Sequence, residues 1–281
     1  MADRRTHLVI IDPQNDFCDL PEDYCPPLPH RSPALPVTGA HADMRRLADF
    51  IDRHGKNLTD ITITLDSHQR IDISHPTFWQ EADGAAVTPF TQIQADDVRN
   101  GRYLPRLQHA LPKAVSYLEA LEKNGRYIHM VWPVHCEIGT WGQNIHADVQ
   151  RACNRWEETS LKNVEKLIKG TNPWTEHYSA IQAEVPESND ISTHRNTLFL
   201  DRLKTADRIL VAGEAGSHCV KATVEHIVEN LSTESSEKFF LLTDCMSPVA
   251  GFETQYAEFI FKMGRRGIRT VNTDEIDAKQ A

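Results

Sequence analysis

The sequence lacks several features that would place it in a common class of protein. Nowhere do eighteen apolar residues follow one another, so no segment is predicted to cross a membrane as a helix. No GxGxxG or GxxxxGKS/T segment follows a predicted strand, so neither a dinucleotide-binding enzyme nor a P-loop enzyme is indicated. There is no run of five like charges, and the net charge of −10 argues against a nucleic-acid or membrane partner.

Cysteine is also scarce. Six cysteines in 281 residues are too few for a disulfide scaffold, and no CxxC pair indicates a structural zinc cluster. The apolar stretch near the N-terminus, residues 8–11, is too short for the core of an export signal. We therefore expect a cytoplasmic protein with reduced thiols, in which a functional cysteine acts chemically.

Short β-branched runs alternate with amphipathic segments along the chain. Residues 7–12 are apolar as far as the final Asp, as in a strand that is buried on both faces of a parallel sheet. Further strands are predicted at 60–66, 126–131, 208–212, 239–243 and 267–271, with helices at 40–54, 113–123, 146–162, 218–231 and 253–263. This order predicts an α/β fold, a doubly wound parallel sheet with helices on both faces. We expect one domain over residues 1–281, with insertions near 81–111 and 139–168, the first of them irregular surface chain.

One cysteine stands at a position suited to chemistry. In a doubly wound sheet, ligands bind beyond the carboxyl ends of the strands, and Cys219 lies in the first turn of a helix that follows such a strand end. Unpaired backbone amides and the helix dipole would lower the pKa of its thiol there, and the same amides could hold an oxyanion. The small residues Gly213, Ala215 and Gly216 leave room for a substrate. The alternative is a cysteine that only packs the helix against the sheet.

Two other predicted strands end in metal-ligand residues. Asp66 and His68 are two residues apart, so their side chains leave one strand end on the same face. His135, after another strand, can supply a second imidazole, and His75 lies within loop reach. Nitrogen and oxygen ligands of this kind suit Zn²⁺, Mn²⁺ or Fe²⁺. With fourteen histidines in the chain, chance pairing in polar surface loops is the alternative.

Together these segments resemble the nicotinamidase/isochorismatase-like cysteine hydrolases, and among them most of all the nicotinamidases. Five stretches match the family in order: IIDPQNDFC at 10–18, DSH at 66–68, WPVHC at 132–136, KG at 169–170 followed by EHYSA at 176–180, and GEAGSHCV at 213–220. The resemblance implies a doubly wound parallel sheet, in agreement with the strand pattern.

The resemblance implies a catalytic triad of Asp12, Lys169 and Cys219. A lysine ammonium between carboxylate and thiol would favour the thiolate, and the carboxylate can take the thiol proton and pass it to the leaving amine. The family also has a cis peptide bond at the position of Glu214 and Ala215, and the Ala215 and Cys219 amides there form an oxyanion hole. Without the resemblance, Lys169 would be predicted only as a lysine at a helix end.

The resemblance also implies a metal. Nicotinamidases bind a divalent metal through Asp-x-His and further histidines, and the metal holds the pyridine nitrogen of the substrate. This implies zinc, or else manganese or iron, at Asp66, His68 and His135. His75 follows His68 by seven residues, farther than the additional histidine of many nicotinamidases, so its part as a ligand stays open.

The activity implied is hydrolysis of a small carboxamide, nicotinamide to nicotinate and ammonia, through a thioester on Cys219, as in pyridine nucleotide biosynthesis. Phe17 and Trp132 resemble the aromatic walls of the nicotinamide pocket. One alternative is another hydrolase of this scaffold that acts without metal on a ureido, carbamoyl or isochorismate-type substrate. Another is a catalytically silent binding protein. The partners expected are a small amide substrate and further copies of the chain in a homo-oligomer.

Overall fold

The computed structural model describes residues 4–27, 32–231 and 237–276. The strands, in chain order, are β1 (Thr6–Ile11), β2 (Asp60–Asp66), β3 (Trp79–Glu81), β4 (Thr91–Ile93), β5 (Tyr103–Pro105), β6 (His129–Val131), β7 (Glu165–Lys169), β8 (Arg208–Gly213), β9 (Phe239–Leu242) and β10 (Arg269–Val271). The α-helices are α1 (Ala40–His54), α2 (Ala95–Arg99), α3 (Leu111–Asn124), α4 (Ala147–Ser160), α5 (Thr197–Thr205), α6 (Cys219–Asn230) and α7 (Glu253–Arg265). No described helix is both long enough and apolar enough to cross a membrane.

A six-stranded parallel sheet forms the centre of the protein, in the order β10-β9-β8-β1-β2-β7. Strand β1, one of the two middle strands, is buried at every position, as the apolar run in the sequence predicts. In register, Ile11 pairs with Gly213 of β8, and Asp66 of β2 pairs with Lys169 of β7. Because the strands are parallel, their carboxyl ends meet at one edge, and the predicted doubly wound fold is confirmed.

Amphipathic helices cover this sheet. Helix α1 buries Met44, Leu47 and Ile51, which recur at helical spacing, against the main core, and it also packs along α4. Truncating a fully buried side chain such as Leu47 to Ala would cost about 2–5 kcal/mol. Helix α3 ends at Gly125, whose φ of 65° is the left-handed conformation that glycine adopts freely.

The insertion near 81–111 is more regular than predicted. Strands β3 and β5 pair antiparallel, and β4 pairs antiparallel with β6. These pairs and α3 enclose a second hydrophobic core that includes Trp79, Val98 and Leu118. The prediction of irregular chain was wrong because three-residue strands are too short for an alternating pattern to be recognised.

The third strand of the predicted sheet was also misplaced. The segment predicted as a strand at 126–131 contributes β6, which pairs with β4 outside the central sheet. The edge position beside β2 is taken by β7, which overlaps the end of the segment assigned to the 139–168 insertion. Strand β7 was not predicted, because Lys166 and Ile168 on its outer face are exposed and the strand therefore has no continuous apolar run.

Candidate active site

The three side chains implied to form a triad come together at the carboxyl edge of the sheet. Lys169 Nζ lies 2.9 Å from Asp12 Oδ2 and 3.6 Å from Cys219 Sγ. It also donates hydrogen bonds of 3.0 Å to Asp66 Oδ1 and to the carbonyl oxygen of His177. All of these residues are buried, so one ammonium group connects two carboxylates and a thiol away from bulk water.

Asp12 is held in place by the end of β1 and by the neighbouring strand. Its φ of 42° is left-handed, a conformation that Asp adopts more readily than most residues. Thr64 of β2 accepts a hydrogen bond from the Asp12 amide at 3.0 Å and donates its own hydroxyl hydrogen to Asp12 Oδ1 at 2.5 Å. On the other side, a Cβ at Gly213 would lie 2.0 Å from the carbonyl oxygen of Ile11, so only glycine allows β8 to pass this close.

Burial dominates the electrostatics of the triad. It raises the pKa of Asp12, against the opposing effects of the Lys169 ammonium and the Thr64 hydrogen bond. It also raises the pKa of the Cys219 thiol well above its ordinary value, although Lys169 opposes this. The lowered thiol pKa expected from the helix start alone is therefore wrong. Burial by itself would lower the pKa of Lys169 and favour its neutral form. The Asp12 and Asp66 carboxylates outweigh this and raise the pKa well above the usual range, so the lysine stays charged.

The loop between β8 and α6 forms the other wall of the site. The peptide bond between Glu214 and Ala215 is cis, as the resemblance implies. The Ala215 carbonyl accepts hydrogen bonds from the amides of His218 (3.0 Å) and Val220 (3.2 Å), which fasten the loop to the first turn of α6. Cys219 is the first residue of that helix. The Ala215 backbone and the Cys219 thiol are thereby kept close together.

A small cavity adjoins Cys219. It is lined by Phe17, Leu35, Asp66, Trp132, His135, Glu176, Tyr178, Ala215, His218, Cys219 and Val249. Trp132 Nε1 donates a 2.9 Å hydrogen bond to the Tyr178 hydroxyl, and the Phe17 ring meets the His135 ring edge-on, with centroids 5.4 Å apart. Aromatic walls with few polar groups are typical of small-molecule sites.

The candidate metal ligands converge next to the triad. Asp66 Oδ2 lies 3.1 Å from His68 Nε2 and 3.4 Å from His135 Nε2. His75 Nε2 lies 3.3 Å from His135 Nδ1. One ring nitrogen from each of the three histidines lies within 4.8 Å of the others. The sequence did not decide whether His75 is a metal ligand. In the structure, His75 belongs to the same cluster as His68 and His135.

These residues fit a divalent metal. Three buried imidazoles and one carboxylate oxygen make a donor set that suits Zn²⁺ and related ions. Asp72 Oδ2 lies 3.2 Å from His68 Nδ1, the arrangement by which a carboxylate orients a metal-binding histidine. His75 Nδ1 is buried and has no hydrogen-bond partner among the described residues. Asp66, His68, His75 and His135 could thus hold the ion.

Three residues of the site were not assigned a role from the sequence. Thr64 could have been found, because it lies two residues before Asp66 on β2 and so points the same way. Asp72 sits in a loop and gave no recognisable pattern. Glu176 belongs to the matching EHYSA segment. It lines the cavity, its Oε2 has no partner among the described residues, and burial raises its pKa.

Solved structures of nicotinamidases share this fold. The chain matches the nicotinamidase/pyrazinamidase of Acinetobacter baumanii with a TM-score of 0.62 and 18% identity, over 98% of this chain and 99% of that chain. It matches the yeast nicotinamidase Pnc1p with a TM-score of 0.60 and 18% identity, over 95% and 99%. A pyrazinamidase of Pyrococcus horikoshii, solved in complex with zinc, matches with a TM-score of 0.55 and 18% identity, over 95% and 99%. No family model and no curated protein sequence matches the chain.

Proposed function

We propose that this protein is a nicotinamidase-like cysteine amidohydrolase, which converts nicotinamide, or a closely related aromatic carboxamide, into the carboxylic acid and ammonia. The observation that carries the proposal is the position of Lys169, in contact with Asp12, Asp66 and Cys219 beside an aromatic cavity. The solved structures of the same fold that are named nicotinamidase or pyrazinamidase support it.

In the first half of the proposed reaction, Asp12 accepts the thiol proton and Cys219 Sγ attacks the amide carbon. The raised pKa of the thiol makes this transfer necessary, because an isolated buried thiol would stay protonated. The oxyanion that forms is stabilised by the amides of Ala215 and Cys219. Asp12 then returns the proton to the amine, the C–N bond breaks, and ammonia leaves a thioester on Cys219.

In the second half, Asp12 takes a proton from a water molecule, and the hydroxide attacks the thioester carbon. The same two amides stabilise the second oxyanion. When it collapses, the C–S bond breaks, the acid leaves, and the proton on Asp12 returns to Cys219. Lys169 keeps its charge throughout and offsets the negative charge of whichever group is ionised.

A divalent metal, when held by Asp66, His68, His75 and His135, would supply a Lewis acid that binds the ring nitrogen of the substrate. The protein's own part is to orient the ring. Phe17 and Trp132 line the same cavity as His135 and Cys219, so a flat aromatic ring is the shape they would accept.

The test is ammonia release from nicotinamide, measured in the presence of Zn²⁺, Mn²⁺ or Fe²⁺. The wild type and a Cys25→Ala control should release ammonia, because Cys25 lies outside the cavity. Cys219→Ala should release none, and His68→Ala should release far less. Thermal unfolding of each variant separates lost chemistry from lost folding. A folded wild type that releases no ammonia with any of the three metals would exclude the nicotinamidase proposal, and activity in Cys219→Ala would exclude the thioester mechanism.

A further inference from the structure

Glu214 is a buried acid in the loop between β8 and α6, the loop that carries the Ala215 amide. The proposed reaction does not use its carboxyl group. It follows β8 and shares a peptide bond with Ala215, but its side chain is absent from the lining of the cavity. It lies beside Asp43 of α1 instead, close enough for each carboxyl group to shift the pKa of the other. Glu214 is 0% exposed and Asp43 is 3% exposed. Two carboxylates in contact at this depth would repel each other strongly, so the pair needs a proton.

Ser247 connects both acids to the loop. Its hydroxyl donates to Asp43 Oδ2 at 2.5 Å, and its amide donates to Glu214 Oε2 at 3.1 Å. Its carbonyl oxygen accepts from the Gly216 amide at 2.8 Å. The residues on both sides of Ala215 are therefore held by one serine, whose own position depends on the two acids.

The surroundings indicate which acid carries the proton. Burial raises the pKa of Asp43, but Arg46, one turn along α1, forms an ion pair with Asp43 and opposes this rise. Burial raises the pKa of Glu214 well above its ordinary value, and the nearby Asp43 raises it further. Glu214 Oε1 is buried and has no hydrogen-bond partner among the described residues, so it is the oxygen that is free to carry a hydrogen. These contacts favour Glu214 as the neutral member of the pair.

The other titratable groups near Glu214 provide no positive charge. Cys18 and Asp19 face it from the loop after β1. Cys245 and Tyr256 face it from the side of Ser247 and α7. Asp19 raises the pKa of Glu214, which also favours the neutral acid.

We propose that neutral Glu214 and ionised Asp43 share a proton and that this pair positions the Ala215 amide of the oxyanion hole. The inference rests on the proposed function. Glu214 is then a positioning residue, because its side chain acts on the reaction through the loop between β8 and α6 and does not touch the substrate. We also expect that loss of the proton shared by Glu214 and Asp43 at high pH separates the two acids and loosens this loop.

The test compares Glu214→Gln with Glu214→Leu. The glutamine keeps an oxygen to accept from Ser247 and an N–H to donate to Asp43, and it has no proton to lose. The leucine fills similar space but makes neither hydrogen bond. We expect Glu214→Gln to keep kcat within about threefold of the wild type, whereas misplacement of the oxyanion donor lowers kcat of Glu214→Leu by about 100-fold with little change in KM.

A second measurement tests the shared proton without an enzyme assay. The infrared spectrum of the wild type at pH 8 should contain the band of a buried protonated carboxyl group, and Glu214→Gln should lack it. Thermal unfolding measures how the stability of the wild type and of Glu214→Gln depends on pH. A raised pKa in the folded state means that the wild type loses stability, relative to Glu214→Gln, as pH rises above the ordinary glutamate range.

The outcomes separate the two proposals. If the wild type releases no ammonia but the carboxyl band is present and Glu214-dependent, the proposed function fails and the proton-sharing pair stands. If the wild type is active and Glu214→Leu folds with an unchanged kcat, the positioning role is overturned. A spectrum without a Glu214-dependent carboxyl band overturns the pair itself, and this holds even if Glu214→Leu does not fold, because Glu214→Gln provides the comparison.

Discussion

The Asp66 carboxylate and the Lys169 ammonium form a buried ion pair, with Oδ1 and Nζ 3.0 Å apart. The other oxygen of Asp66 lies 3.1 Å from His68 Nε2. One carboxylate therefore contacts both the triad and the histidine cluster. A change in either group alters the charge that the other experiences, because buried charges are poorly screened by water.

Lys169→Met should abolish ammonia release and destabilise the fold. It leaves Asp12 and Asp66 as buried carboxylates without a cation, and breaking such a buried pair costs about 3–5 kcal/mol at neutral pH. The exposed pair of Lys204 and Asp201 provides the control, since Lys204→Met should cost less than about 1 kcal/mol. Urea unfolding measures both.

The cost of Lys169→Met should fall at low pH. Burial raises the pKa of Asp66, but His68 and Lys169 together hold it well below the ordinary value. The stability from this ionised carboxylate is therefore present above the ordinary aspartate pKa and is lost as pH falls toward the lower folded-state pKa. Equal destabilisation by Lys169→Met at pH 7 and at pH 3, below the ordinary aspartate pKa, would contradict the buried ion pair.

Thr64→Val should move the acid limb of the kcat/KM profile to higher pH. The threonine hydroxyl donates to Asp12 Oδ1 and opposes the rise in pKa that burial causes. Without it the pKa of Asp12 rises further, so a higher pH is needed to ionise the base. Thr64→Ser keeps the hydroxyl and should keep the wild-type profile. Identical profiles for Val and Ser variants would show that this bond does not tune Asp12.

Metal content should depend on the histidine cluster. The purified wild type should contain about one divalent metal ion per chain by elemental analysis, if Asp66, His68, His75 and His135 form one four-ligand site. His68→Ala, His75→Ala and His135→Ala should each lose it. His194→Ala is the control, because His194 is exposed and contacts the carbonyl oxygen of Glu187. Full retention of metal by His75→Ala would remove His75 from the ligand set.

Removing the metal should also remove the activity. Dialysis against a chelator is expected to lower ammonia release, and added Zn²⁺ to restore it, if the ion anchors the substrate ring. Unchanged turnover in metal-free protein would favour the hydrolases of this scaffold that act without metal.

Trp132→Ala should raise KM more than it lowers kcat. Its ring lines the cavity and its Nε1 donates to Tyr178, so the truncation removes a wall of the substrate pocket. It should also cost about 3–5 kcal/mol of stability. Trp132→Phe keeps an aromatic wall and should lose only about 1 kcal/mol with the hydrogen bond.

Trp79 is the matched control for this prediction. It is fully buried in the second core, where its Nε1 donates to the carbonyl oxygen of Ile73. Trp79→Phe should lose stability comparable to that lost by Trp132→Phe and leave KM unchanged. A similar rise in KM in both tryptophan variants would indicate a general loosening of the fold.

The sheet shows where sequence patterns succeed and where they fail. Strands β1 and β8 were predicted almost to the residue, because strands buried on both faces read as continuous apolar runs. Strand β7 was missed because an edge strand needs only one buried face, and of the three residues on that face, Glu165, Leu167 and Lys169, only Leu167 is apolar. Lys169 ends this strand, so its position at the site was implied only by the family resemblance.

The histidine cluster shows a second limit. Asp66 and His68 were paired correctly because both lie at the end of one strand, where spacing determines direction. His75 could not be decided in the same way, because it lies in a loop whose path depends on contacts with other segments. In the structure the Trp132 amide donates to the Ser74 carbonyl at 2.7 Å, which ties the His75 loop to the segment before His135.

The sequence by itself determined the α/β class, most of the helices and central strands, and the polar residues at the strand ends, because periodicity and residue type are local properties. Only the tertiary structure decided that Asp66 joins Lys169 to the histidines, that Glu214 turns away from the cavity toward Asp43, and that the Cys219 thiol has a raised pKa. These features depend on burial and on distances between segments far apart in the chain. A linear pattern cannot specify such distances, since they arise only when the whole sheet has assembled.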